Sequence, residues 1–281
     1  MRITQTANHY HKTSFGLKSI SQKFKPSDFY INIPGYGRNS AWAEKIIETA
    51  EEATGFINRG WSFENVIKKI SIGVAKANKY PLDVSKREHS GILRTAREGW
   101  RYGSDWDGFS LVTSYDKAHG NKRYRIYEER LDDTIKKPLK AVYPKIGISR
   151  PEALVLDDIE EKRIIHGAPN KINESFRLLD KLYSFLIKKY HNKNLDEKDL
   201  KVINNIIAQM RWILAHSTPW ERGSDAISNV FVKALYKSLR IKTSAPAKGI
   251  SFDMEAFVTN LQDYKEKFST YFKKPPRIVN K

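Results

Sequence analysis

Cysteine is absent from all 281 residues. That excludes disulfides, thiolate metal sites and a cysteine nucleophile. Long apolar runs are absent as well: none approaches the ~20 residues that a membrane-spanning helix needs. The opening residues Met1-Arg2-Ile3-Thr4-Gln5-Thr6-Ala7 carry no apolar signal-peptide core. Acidic residues are scarce beside basic ones, 32 against 50, which leaves a formal net charge of +18. Histidines number only seven, with no paired spacing on a helix that would hold a metal. The sequence has no Gly-x-Ser-x-Gly elbow and no Walker loop.

What is present suits a packed globule, since 40% of residues are apolar and 12% aromatic. The positive excess raises encounter rates with polyanions such as nucleic acid, anionic lipid or nucleotide. Basic residues are spread along the chain without a long block, which fits a solvated lysine-rich surface equally well. A basic chain without cysteine also suits passage through a secretion machine. The expected localisation is secretion by a signal-peptide-independent route into a target-cell cytoplasm, or otherwise the cytoplasm.

Four stretches organise the chain. Residues 1–40 read as a leader or flexible arm, with a short strand at Phe29-Tyr30-Ile31. Residues 41–150 mix helix and strand. A helix is expected over about 41–56, and a second is capped by Ser62. Phe109–Thr113 and Arg123–Tyr127 alternate with the period of strands, and Gly147 and Pro151 punctuate the boundary. Residues 151–272 form a helical domain. Apolar positions from Phe176 to Tyr190, from Leu200 to Leu214 and from Ile227 to Leu235 recur at helical spacing, and a shorter helix follows over 253–264. Asp196 is placed to cap the second of these. Residues 273–281 are a basic tail. The expected fold class is α+β, predominantly α-helical, with short strands in a mixed N-terminal half and a helical C-terminal half.

The densest chemistry lies in His216-Ser217-Thr218-Pro219-Trp220-Glu221-Arg222-Gly223-Ser224-Asp225, between two helices. A helix that ends on histidine, turns through proline and glycine and restarts on Ser-Asp presents free amides to an anion. His216 can act as general base, and Arg222 offers a planar fork to phosphate. Gly223 admits backbone close to a ligand, and Ser224 or Asp225 caps the new helix. Glu221 or Asp225 can hold a magnesium ion bridging phosphates. A structural corner with no chemistry uses the same residue types.

Through His216, Pro219, Trp220 and Gly223, set between two helices, residues 165–240 resemble the Fic family motif His-Pro-Phe-x-x-Gly-Asn-Gly-Arg. The pattern departs where Ser217 and Thr218 intervene before the proline, where Asp225 replaces the second glycine and where Ala226 replaces the arginine. The resemblance implies transfer of an AMP-like group from ATP with Mg2+ to a protein hydroxyl, with His216, Arg222 and Asp225 catalytic and Gly223 and Ser224 in the phosphate cradle. Pro219-x-x-Arg222-Gly223-Ser224 before a helix also resembles C-terminal segments of bacterial secreted effectors and toxins. That implies a host or competitor protein substrate, with a secretion chaperone or immunity protein as further partner.

A rival site uses NAD. Arg94, the Ser/Thr-rich segment 109–114 and the acidic Asp158-Ile159-Glu160-Glu161 resemble the order of motifs in ADP-ribosyltransferase toxins. There Arg94 would grip NAD and Glu160 would polarise the ribose, whose transition state is cationic. The non-enzymatic alternatives are a helical module that docks a host protein, and nucleic-acid binding through Trp100-Arg101-Tyr102 and Lys122-Arg123-Tyr124-Arg125.

Overall fold

A computed structural model of the chain describes residues 23–30, 39–79, 89–94, 158–160, 163–165, 172–257 and 259–279. The expected strands at 109–113 and 123–127, the Trp100 and Lys122 clusters and the boundary at 146–151 lie outside these residues. Within them the protein is α+β and predominantly helical.

Helices α1 (Ser40–Asn58) and α2 (Phe63–Asn78) form an antiparallel hairpin. Asn39 caps α1 by accepting from the Trp42 amide at 2.9 Å, and Ser62 caps α2 through the Asn65 amide. A two-strand hairpin follows, β1 (Asp158–Glu160) antiparallel to β2 (Arg163–Ile165), with Asp158 opposite Ile165. Then come α3 (Ile172–Tyr190), α4 (Glu197–Ser217) and α5 (Ser224–Ser238). Asp196 and Asp199 close a reciprocal capping box at the start of α4. Strand β3 (Ile241–Lys242) leads to the short helices α6 (Phe252–Phe257) and α7 (Leu261–Lys267) and a 3-10 turn at Phe268–Tyr271. Strand β4 (Arg277–Ile278) returns antiparallel to β3.

Helix α4 is the axis of the fold. Every residue from Ile207 to Ser217 is buried, because α3, α5, α6 and α7 pack around it. An amphipathic surface helix would show a polar stripe there. Helices α1 and α2 pack on α5, and α2 also meets α3, so residues 40–78 share one core with residues 172–272. Phe63 joins the two parts, edge-on to both Phe176 and Phe231.

Two local expectations change. The strand at Phe29–Ile31 gives way, over its described residues, to a 3-10 turn at Pro26–Asp28 followed by a bend. Proline at the first helical position favours that turn, and the Asp28 carboxylate closes it on the Lys25 amide at 2.8 Å. The helix expected over 253–264 divides into α6 and α7, because Asn260 restarts the chain as an N-cap.

Candidate functional site at the corner of α4, α5 and α6

The loop between α4 and α5 is held from both sides. Thr218 ends α4 in the left-handed region, at φ 35°, an unusual conformation for a β-branched residue. Arg94 holds the helix end there: its Nε donates to the Thr218 carbonyl at 2.6 Å and its Nη2 to the Ser217 carbonyl at 2.8 Å. A cation at a helix C-terminus is favoured by the aligned carbonyls. Backbone pairing with residues 91–94 completes the clamp, through Arg94 to Pro219, Glu221 to Ile92 and Gly91 to Arg222. Gly223 then takes φ 90° and sits so close to α2 that a Cβ would lie 3.2 Å from Asn78 Nδ2.

This geometry gives three of the expected site residues structural contacts. His216 is only 3% exposed, its ring lies 3.9 Å from the Trp212 ring centre, and its Nε2 donates to the Ala256 carbonyl at 3.1 Å. It anchors α6 to α4, and a hydroxyl brought from solvent has no path to it as a base. Glu221 is 4% exposed and engages His89 Nδ1 at 2.7 Å. Among the described residues no three His, Asp or Glu side chains gather into a metal site. Arg94, expected to grip NAD, instead directs Nε and Nη2 to the end of α4. Glu160 lies in β1, and its side chain is outside the described residues.

The cap of α5 is also different. Gly223 occupies that position and no side chain caps the first turn. Ser224 turns its hydroxyl back to Trp220, donating to the carbonyl at 3.0 Å and accepting from the amide at 3.1 Å. The start of α5 therefore keeps an end without a side-chain cap, beside the half-buried Arg222, whose buried Nε has no partner.

Asp225 stands in that first turn and is drawn inward to Arg211. The Arg211 side chain is 1% exposed, and its Nη2 is shared by the carboxylates of Asp225 and of Asp253 in α6. Asn229, one turn along α5, donates to the second Asp225 oxygen at 3.0 Å and accepts from Arg211 Nε at 3.3 Å. Burial, then repulsion from Asp253, pushes the Asp225 carboxyl up to about 8, against the pull of Arg211. The Asp225 side chain is still 26% exposed. The result is a partly exposed carboxyl backed by the Arg211 cation and beside a helix start without a side-chain cap. Sequence reasoning missed Arg211 and Asp253. The one available signal was a lone arginine inside the apolar run Met210-Arg211-Trp212-Ile213-Leu214.

A helical body with a buried Arg–carboxylate triad at a helix corner defines the class, an α+β protein built around one central helix. Its relatives are found by sequence: the profile of the AvrB_AvrC family, avirulence proteins, matches residues 130–275. The chain belongs to that family and is a bacterial virulence effector delivered into host cells, where it acts on host proteins. Comparison with curated proteins gives no match.

Proposed function

We propose that this effector transfers a nucleotide-derived, AMP-like group from an ATP-type donor to a hydroxyl of a host protein, with Asp225 replacing His216 as the base. The observation that carries the reading is the pair of carboxylates on the buried Arg211, one of them open to solvent at the uncapped start of α5. The resemblance to Fic enzymes supplies the donor chemistry. Asp225 in its ionised form accepts the proton of the attacking hydroxyl. The new bond joins that oxygen to the α-phosphorus, and the bond to the departing pyrophosphate breaks. Arg211 steadies the carboxylate pair as its proton count changes. Arg222 and the α5 amides are the groups that would face the donor's phosphates. No three His, Asp or Glu side chains gather into a metal site among the described residues, so a magnesium ion would arrive on the donor's phosphates.

The test is labelling of host-cell extract with α-labelled ATP. Wild type should mark a protein. Asp225→Asn and Asp253→Asn should lower the rate about 10²–10⁴-fold, the usual worth of a general base, with the helical spectrum intact. His216→Gln, which can still donate to the Ala256 carbonyl, should keep most of the activity. A folded His216→Gln protein without activity, or an unaffected Asp225→Asn protein, would return the base to another residue.

A further inference from the structure

At the far end of α5 lies a second feature, independent of the Asp225 corner. A cavity of about 630 Å³ opens between the Lys23–Tyr30 segment and the chain that leaves β3. Its size falls in the range of small-ligand sites, roughly 300–1,000 Å³. Lys23, Lys25, Lys242 and Lys273 line it. Asp28 is the one carboxylate among the described lining residues, and it is already engaged by the Lys25 amide.

Beneath the wall sits a fifth cation. Lys233 is 2% exposed; its Nζ donates to Thr243 Oγ1 at 3.2 Å and to the Ser244 carbonyl, and lies 5.2 Å from the centre of the Phe272 ring. Among the described residues it has no ion pair. Burial pushes its ammonium down to about 8, with Asp28 opposing. A buried cation without a paired carboxylate is costly, and an anion in the adjoining cavity would offset that cost.

The lining also says what the ligand lacks. Ala245 and Tyr30 are the only apolar or aromatic residues in its described lining, and the Tyr30 ring is already stacked on Trp42, centres 6.2 Å apart. The rest of the described lining is four lysines, three hydroxyls and one carboxylate, which suits phosphate oxygens better than a nucleobase or an acyl chain. We infer that this cavity binds a compact ligand carrying several phosphates on a polar frame, a phosphorylated polyol of the inositol phosphate kind, either free or as the headgroup of a lipid.

Calorimetric titration of the full chain with inositol hexakisphosphate at about 0.15 M salt, where long-range attraction is screened, tests the site. Flotation with phosphatidylcholine vesicles, with and without phosphatidylinositol bisphosphate, runs in parallel. Wild type should bind one ligand saturably in one or both formats, and the format that works identifies the source. Lys242→Glu with Lys273→Glu should weaken binding at least ~10-fold, about 1.4 kcal/mol. The same charge reversal on α2, Lys68→Glu with Lys69→Glu, should leave it nearly unchanged. Lys233→Met should keep the helical spectrum and lower affinity several-fold. Equal losses in both double variants would overturn the site, as would the lack of saturation in both formats. Tighter binding of a single-stranded oligonucleotide would overturn it too.

Discussion

Arg211 and Asp225 set the behaviour of the candidate site residue by residue. Burial and the neighbouring Asp253 carboxylate make Asp225 hold on to a proton that an ordinary aspartate would release, against the pull of Arg211. The ordinary Asp225 value is 3.8 and the folded value is about 8. Between those values the folded chain keeps a proton that the unfolded chain has lost. Stability is therefore greatest on the acid side of this window and falls as pH rises toward about 8, by at most ~1.4 kcal/mol per pH unit from this group. Urea midpoints taken at the two ends of the window should differ in that direction, and Asp225→Asn should flatten the difference. A difference of unchanged size in Asp225→Asn would assign the proton elsewhere. The histidine is the contrasting case. His216 is the residue type that the sequence favours as a base, but its bond to Ala256 and its contact with Trp212 make it a packing residue.

Among the elements, the helix starts follow local chemistry and the helix crossings do not. Asn39, Ser62, Asp196 and Asn260 each cap a helix through an amide three residues on, a pattern written in neighbouring residues. The crossing of α1 and α2 depends instead on residues from two helices. A Cβ on Gly73 would lie 2.4 Å from both Thr49 Cγ2 and Oγ1. Gly73→Ala should cost roughly 1–3 kcal/mol by overpacking, despite alanine's better helix propensity. Thr49→Ala removes both clashing atoms and should recover part of that loss. A double-mutant cycle in denaturant should show coupling of at least ~0.5 kcal/mol. Strict additivity would mean that the helices shift apart at no cost.

At the level of the whole molecule, α1 and α2 belong to the same core as α4 and α5, though more than a hundred residues separate them in sequence. Lys237 of α5 reaches Glu51 of α1, and Tyr183 of α3 donates to the Trp61 carbonyl at 2.8 Å. Amides in the middle of α2 should consequently exchange with solvent as slowly as those of α4 and α5, in one cooperative unit. Faster, separate exchange of the α1–α2 hairpin would show that it rides on the core without stabilising it. The C-terminal residues are part of this body as well. Although basic, they are tied down to Val279, whose amide donates to the Arg240 carbonyl at 3.0 Å.

Most helix positions, the caps at Ser62 and Asp196 and the predominantly helical class were readable in the chain alone, because 3.6-residue periodicity and capping are encoded within a few neighbouring residues. The cluster of reactive residues from His216 to Asp225 was readable for the same reason. Its division of labour was not. Burial of His216 came from α6, forty residues onward, and the partner of Glu221 came from His89, far upstream. Arg211 looked like one polar position in an apolar helix until packing set it between Asp225 and Asp253. Charge and hydrogen-bond partners depend on distances in space, and only the packed helices bring those groups within a few ångströms of one another.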